Sequence, residues 1–140
     1  MRKLNKPEDA KVEIEKAITK QPSKGENMLE MAMIMEAMNS PEEAEKCYEK
    51  AIELKPEDPM FLNSFGIHLA NKGETSKAEK HFDEAIRINP NEAEYYFNKG
   101  ENCERMENIN LAQEMYNKAM TLSPEEPLYY SSYANILAKK

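Results

Sequence analysis

Apolar side chains recur along the chain at the spacing of one helix face. Met28, Met31 and Met35 stand at positions i, i+3 and i+7, which lie on one side of an α-helix. A short polar stretch at 39–43 follows, and Ala44 and Tyr48 then begin a second face of the same kind. Similar segments, separated by turns of the length expected between antiparallel helices, continue to the end of the chain. The pattern predicts eight helices, near 7–20, 25–38, 41–54, 59–72, 75–88, 93–106, 109–122 and 127–139.

Individual residues also recur at a step of 34 positions. Three of these series are small or turn residues: Ala10, Ala44, Ala78 and Ala112; Ala17, Ala51, Ala85 and Ala119; and Pro22, Pro56, Pro90 and Pro124. Two further series differ in size. One is always a large residue, Ile14, Tyr48, Phe82 and Tyr116, and the other is always a small one, Ala32, Gly66, Gly100 and Ala134. Small residues at fixed places let two helices approach closely, and large ones fill the space between them. A fixed period of this length predicts stacked helix pairs.

The residues at these positions resemble the tetratricopeptide repeat family. The stretch Leu62-x2-Phe65-Gly66-x2-Leu69, followed by Ala78-x3-Phe82, Ala85 and Pro90, matches the family's 34-residue pattern, and the resemblance covers essentially the whole chain. It implies an all-α fold, an α-solenoid in which antiparallel helix pairs form a right-handed superhelix. It also implies that the first helix of each pair lines a concave groove, where arrays of this family commonly bind peptides or other proteins.

The period predicts how the single domain, 1–140, is divided. Residues 1–24 should hold only the second helix of a partial unit. Three complete repeats are expected at 25–58, 59–92 and 93–126, and residues 127–140 should form the first helix of a further unit. One repeat alone buries too little apolar surface to offset its conformational entropy, so stability should depend on stacking.

Turn residues mark where the helices begin and end. Ser40 is a good N-cap, Pro41 suits the first helical position, and Glu43 would complete a capping box with Ser40. The pair Asp58-Pro59 is expected to open the next helix, and Gly73 to end it.

Composition narrows the classes of function. The chain has 26 acidic and 19 basic residues, a formal net charge of -7 and a pI near 5.0. A surface of this sign repels phosphate backbones and anionic lipid, so neither nucleic acid nor a membrane is expected as a partner. The N-terminus lacks the apolar stretch of a signal peptide, and the two cysteines have no CxxC spacing. A cytoplasmic location is therefore the expectation.

Few residues suggest catalysis or a cofactor. His68 and His81 fall on helices without acidic or cysteine neighbours at ligand spacing, and Cys47 and Cys103 have no activating partner. The methionine-rich segment 28–38 could be taken for a copper(I) site, but most of its methionines fall on the packing face. We expect no enzyme activity, no metal site and no cofactor.

The resemblance implies which residues line the groove. We call these twelve residues the groove positions: Leu29, Met33, Met60, Asn63, Ser64, Ile67, Phe97, Asn98, Glu101, Leu128, Ser131 and Asn135. Their apolar members suit a partly apolar partner, and their asparagines can bind a peptide backbone through donors and acceptors. Glu26, Glu30, Glu94 and Glu101 favour a neutral or basic segment. The predicted function is a scaffold that binds another protein or peptide.

Some members of the family hold a peptide's terminal carboxylate with lysine, arginine and asparagine on three successive first helices. One frame places Leu29, Met33, Ser64, Glu94 and Asn98 at those positions, and the next frame places Asn63, Ile67, Asn98, Leu128 and Ser132 there. Neither set contains a cation. The sequence therefore predicts that this chain lacks a carboxylate clamp.

Two other functions compete with the scaffold. The chain could be a structural segment of a longer array, or a module that self-associates end to end through its C-terminal helix. The second idea arises because Tyr129, Tyr133, Ile136 and Leu137 are followed by no further helix in this sequence. RNA binding, as in the related pentatricopeptide repeats, fits poorly with an acidic chain of period 34.

Overall fold

The computed structural model describes residues 25–140. This part of the chain contains helices and no strands, and the predicted all-α class of tetratricopeptide helix pairs is confirmed. The helices are α1 (Gly25–Ala37), α2 (Pro41–Leu54), α3 (Pro59–Asn71), α4 (Thr75–Ile88), α5 (Ala93–Arg105), α6 (Ile109–Leu122) and α7 (Pro127–Ala138). Every bound lies within one residue of its predicted place. The further helix predicted at 7–20 lies outside the described residues.

The chain divides into two compact units, Met1–Phe61 and Leu62–Lys140, and the division falls within the first turn of α3. In the first unit α1 packs against α2. Ala32 of α1 and Ala44 and Ala51 of α2 are fully buried, and Tyr48 is nearly so. The alanine series thus provides the close approach between these two helices.

In the second unit the small and large series meet directly. A Cβ atom on Gly66 of α3 would lie 2.6 Å from Cε1 of Phe82 in α4, and one on Gly100 of α5 would lie 2.6 Å from Cε1 of Tyr116 in α6. Real Cβ atoms do not approach other atoms so closely, so each glycine leaves the space that the aromatic ring occupies. The two aromatic residues are buried, and each helix pair closes around this contact.

The first helix of each repeat ends in the same backbone turn. Asn39, Gly73 and Glu107, spaced by 34 residues, have positive φ angles of 60°, 89° and 61°. The next amide in each case donates a hydrogen bond of 2.9 Å to a carbonyl five residues earlier, as from Glu74 N to Leu69 O. This is the hydrogen bond of a Schellman motif, which satisfies carbonyls at a helix end. Gly73 therefore ends α3 as expected.

Helix starts agree less well with the prediction. Asp58 Oδ1 accepts a hydrogen bond of 3.0 Å from Met60 N at the start of α3, as a capping side chain should. The capping box predicted at Ser40 and Glu43 is wrong, because the Ser40 side chain makes no capping hydrogen bond. The backbone carbonyl of Ser40 instead accepts from Ala44 N at 3.0 Å, so α2 begins with Pro41 at its first position and without a side-chain cap.

The last helix is half covered. Ile136 is fully buried in a cluster with Phe97 and Tyr116, and Tyr129 and Tyr133 pack against that cluster. Of the residues named as uncovered from the sequence, only Leu137 is exposed, and Tyr130 is exposed beside it. The two faces of α7 therefore differ, because α6 packs against one of them.

Candidate functional site

The groove positions all lie on the first helices of the pairs, namely α1, α3, α5 and α7. Their exposure differs widely. Met33, Met60, Glu101, Leu128, Ser131 and Asn135 are exposed, Ile67 and Asn98 are half-buried, and Leu29, Asn63, Ser64 and Phe97 are buried. The structure therefore leaves eight of the twelve at least partly accessible to a partner.

In the first unit the accessible groove positions are methionines. Met33 in α1 and Met60 in α3 are 48% and 51% exposed, far more than a core methionine such as Met35 at 6%. Leu29 is buried and belongs to the packing between helices rather than to an accessible surface. Flexible, polarisable methionine side chains adapt to differently shaped partners, so Met33 and Met60 suit an apolar contact.

In the second unit two groove asparagines bind each other across adjacent first helices. Nδ2 of Asn98 in α5 donates a hydrogen bond of 3.0 Å to Oδ1 of Asn63 in α3. Asn63 is 3% exposed and Asn98 is half-buried. The contact holds the Asn98 amide in one orientation and leaves its carbonyl oxygen and second N–H to meet a partner.

A small cleft lies between α3 and α5 beside this amide pair. Its volume is about 30 Å³, and its walls are Ile67, Ala70, Asn71, Phe82, Asn98, Glu101, Asn102 and Arg105. Arg105 donates a hydrogen bond of 3.0 Å from Nη2 to Oδ1 of Asn71, linking the ends of the two helices. The cleft thus combines an apolar floor with one negative side chain, one positive side chain and three amides.

Asn102 is the most buried polar group in the cleft, at 1% exposed. Its Nδ2 donates a hydrogen bond of 2.9 Å to the backbone carbonyl of Thr75, at the start of α4. That contact fixes the amide orientation, because a flipped side chain would place two oxygens against each other. Its Oδ1 has no hydrogen-bond partner among residues 25–140. A buried acceptor without a donor is costly, and it therefore identifies a place that a donor would occupy favourably.

The negative charge in the cleft is partly desolvated. Burial raises the pKa of Glu101 above its ordinary value, and Glu104 adds to the rise while the Arg105 guanidinium opposes it. A partner that donates a hydrogen bond to this carboxylate would stabilise its charged form.

Phe97 is a core residue, which the sequence assignment missed. It is 7% exposed, and its ring centroid lies 5.7 Å from that of Tyr116 and 5.0 Å from that of Tyr129. These distances are typical of packed aromatic rings. Substituting Phe97 would therefore change stability before it changed binding.

Three polar cleft residues, Asn71, Asn102 and Arg105, were not among the predicted groove positions. The signal for Asn102 was available, since the residues at its repeat position are Ile34, His68, Asn102 and Ile136. Isoleucine at both ends of this series shows that an apolar residue suits the position, so a polar residue there indicates a role other than packing. Leu128, Ser131 and Asn135 of α7 line no part of this cleft.

The titratable side chains offer little chemistry. Among residues 25–140 no group of three histidine, cysteine, aspartate or glutamate side chains could hold a metal ion. His68 is buried and stacks on Phe65, with ring centroids 6.0 Å apart, while His81 meets the same ring edge-on at 4.9 Å. Burial raises the pKa of Cys103 to about 11, so its thiol is protonated at neutral pH.

Within the described part of the chain, no helix has both the length and the apolar character needed to cross a membrane.

Comparison with known families identifies the repeats. Residues 26–92 match the family of YpiA-like, C-terminal tetratricopeptide repeats, and residues 93–126 match the tetratricopeptide repeat family. No curated protein sequence matches the chain.

Solved structures share the fold. The crystal structure of MamA superposes with a TM-score of 0.83 at 20% identity, over 95% of this chain and 78% of MamA. The first tetratricopeptide domain of Spaghetti (RPAP3), bound to the HSP90 peptide SRMEEVD, gives a TM-score of 0.78 at 17% identity, over 83% of this chain and 92% of that one. YrrB, described as having an unusual peptide-binding site, gives 0.80 at 26% identity, over 90% of this chain but only 65% of YrrB.

The 34-residue period, the helix pairs closed by a glycine against an aromatic ring, and the matches over residues 26–126 agree with one another. The chain belongs to the tetratricopeptide repeat family.

Proposed function

We propose that this chain is a protein-interaction scaffold that holds an extended segment of another protein against the first helices of its repeats. The observation that carries the proposal is the Asn98–Asn63 amide pair beside the cleft in the second unit. The pair holds two side-chain amides in fixed orientations, and the partly exposed Asn98 amide can bind the backbone of a peptide. YrrB, at 26% identity, has a peptide-binding site on the same fold, which supports the proposal.

The proposed segment is partly apolar and neutral or basic. The exposed Met33, Met60 and Leu128 offer apolar contacts, and the exposed Glu94 and Glu101 disfavour acidic side chains. Because neither possible frame of the carboxylate clamp contains a cation, we propose that a free C-terminal carboxylate is not the recognised feature. No catalytic step is part of this function.

Selection from a random peptide library tests the scaffold. The wild-type chain should enrich related segments, and Asn98→Ala should lose at least about tenfold in affinity for them, since one or two hydrogen bonds disappear. Asn117→Ala is the matched control, because Asn117 is an exposed asparagine on α6, the second helix of its pair. Both variants should be folded by circular dichroism. Equal affinity of wild type and Asn98→Ala for every enriched peptide would remove the groove from the proposal.

A second candidate function is self-association through α7, and burial favours it. Tyr130 and Leu137 are each 44% exposed, although Tyr96 and Cys103, one repeat earlier, are buried. In the earlier repeats this face is covered by a helix that carries alanine, a large residue and alanine, such as Ala112, Tyr116 and Ala119 of α6.

The chain contains one more segment with that pattern. Ala10, Ile14 and Ala17 stand at the same repeat positions, in a segment that lies outside the described residues. We propose that this segment of a second copy covers the Tyr130–Leu137 face, so that copies associate head to tail. The assembly should have a mass above the 16.2 kDa of one chain.

A further inference from the structure

The cleft between α3 and α5 is lined by Asn102, which has a buried acceptor that no part of the described chain satisfies. Asn102 is 1% exposed, its Nδ2 is bound to the Thr75 carbonyl, and its Oδ1 has no donor. The helical packing does not need an asparagine here, because the residue one repeat later is Ile136, which is fully buried. The polar group at this position is therefore a candidate for recognition.

The charges around the cleft restrict what can enter it. Glu101 supplies acceptors, and Arg105, held by Asn71, supplies donors, so the lining has no net charge. A lysine ammonium offers only donors and would lie beside the Arg105 guanidinium. A carboxylate offers only acceptors and would meet both Glu101 and the Asn102 oxygen. A neutral group that both donates and accepts fits this lining best.

Size restricts it further. A cleft of about 30 Å³ is small, so it admits the end of a side chain rather than a bulky ring. The floor formed by Ile67, Ala70 and Phe82 is apolar and suits the methylene groups that precede such an end. A primary amide on a short aliphatic stem has this size, polarity and shape.

We propose that the cleft is a specificity pocket for the side-chain amide of a glutamine or asparagine in the bound segment, with Asn102 as the residue that selects it. The amide N–H donates to Asn102 Oδ1, and the amide oxygen accepts from the donors of the cleft. This inference rests on the proposed function, since it concerns a side chain of the same partner segment.

The experiment compares selections from one random peptide library against three proteins. The wild-type chain should enrich segments that share glutamine or asparagine at one position. Asn102→Ile should enrich segments that agree at the other positions but lose this preference. Isoleucine occurs at the same repeat position as Ile34 and Ile136, so the substitution suits the fold, and the Thr75 carbonyl retains its own helical partner. The third protein, Asn98→Ala, reports on the groove as a whole.

Calorimetric titration then measures one selected peptide against its glutamine-to-leucine analogue. Wild type should prefer glutamine by about tenfold or more, because the glutamine amide donates to the buried acceptor and leucine cannot. Asn102→Ile should show no preference or prefer leucine. Its thermal unfolding should remain cooperative, so that the lost preference is not loss of fold.

Each remaining outcome has a definite meaning. Identical preferences in wild type and Asn102→Ile would show that the cleft holds only solvent and would overturn this inference, while the scaffold would stand as long as Asn98→Ala lost affinity. Lysine, arginine or an acidic residue at the selected position would also overturn it. No enrichment by the wild-type chain would overturn the scaffold and this pocket together.

Discussion

At the scale of single residues, the backbone turn that ends α5 is strained in a way that its counterpart after α3 is not. Glu107 has a φ of 61°, and Gly73, at the same repeat position, has a φ of 89°. Glycine adopts positive φ readily, whereas a side chain with a Cβ atom does so at a cost of about 1–2 kcal/mol. The Glu107 side chain is exposed.

We predict that Glu107→Gly raises the free energy of unfolding by about 0.5–1 kcal/mol, because it removes this strain at a helix end. The reverse change, Gly73→Ala, should lower it by about 1 kcal/mol or more, since nothing lies within 4 Å of the added Cβ atom and only the backbone angle opposes it. Urea unfolding of both variants measures the difference. A change of the same sign at both positions would contradict this explanation.

Residue-scale packing also shows why the groove assignment of Phe97 differs from the structure. The repeat pattern places Phe97 on the side of α5 that lines a groove, but Tyr129 of α7 packs against its ring. Lys99 of the same helix is likewise covered, since its ammonium contacts Asp83 at 2.5 Å and only 15% of its side chain is exposed. Both outcomes depend on neighbours from other helices, which a periodic pattern does not specify.

At the scale of helices, a hydrogen bond between tyrosine and glutamate closes two of the pairs. Tyr116 of α6 donates to Glu104 of α5. The equivalent pair two repeats earlier is the same, since Tyr48 of α2 donates to Glu36 of α1. The intervening repeat has Phe82 and Ala70 at these positions and cannot form the bond. Burial, followed by the hydrogen bond to the glutamate, raises the pKa of both tyrosines well above the ordinary value.

Glu104 joins three helices, since Lys139, next to the end of α7, also donates to it at 2.7 Å. Burial alone would raise the pKa of Glu104, but the hydrogen bonds from Lys139 and Tyr116 together lower it below its ordinary value. The Lys139 side chain is 54% exposed, so its ion pair contributes little by itself. The buried tyrosine hydroxyl supplies the stronger contact.

A depressed carboxylate pKa gives stability that is present above the unfolded pKa and is lost as the pH falls through the folded one. We predict that Glu104→Gln lowers the free energy of unfolding by about 1 kcal/mol at pH 7, where a charge-assisted hydrogen bond is lost. The difference from wild type should shrink below about pH 4, as Glu104 becomes protonated in the wild-type chain. Urea titrations across this range measure it.

Glu114→Gln provides the control for this prediction, because Glu114 is an exposed glutamate of α6. The free energy of unfolding of Glu114→Gln should differ little from that of wild type, both at pH 7 and below about pH 4. If Glu104→Gln showed a constant deficit from pH 7 to pH 3, the carboxylate charge would not be the cause.

Helix positions could be predicted closely because their signals are local and repeat: each helix has an apolar face, α2, α3 and α7 begin with proline, and α1, α3 and α5 end in a left-handed turn. The contacts that form the cleft could not be predicted, because they join side chains of different helices. The Asn102 amide is oriented by its hydrogen bond to the Thr75 carbonyl, 27 residues away, and Arg105 is hydrogen-bonded to Asn71, one full repeat away. Sequence separation of this size carries no local pattern.

At the scale of the whole molecule, the exposed face of α7 bears on assembly. Tyr130 and Leu137 are apolar and exposed, and Ala134 between them leaves room for a close helix approach. In the second unit the equivalent faces are closed by α4 and α6, which place Phe82 and Tyr116 against glycine. Exposed apolar surface of this kind commonly marks an interface.

We predict that the 140-residue chain self-associates and that Leu137→Glu returns it to the monomer mass of 16.2 kDa, because a charge would then have to be buried in the interface. Multi-angle light scattering over a concentration series measures the mass. Asn135→Glu is the matched control, an exposed position of α7 on the groove side, and it should leave the association unchanged. Ile14→Glu should abolish association as Leu137→Glu does, since both sides of the proposed contact are required. A strictly monomeric wild-type chain at millimolar concentration, or disruption by Asn135→Glu alone, would contradict head-to-tail pairing through this face.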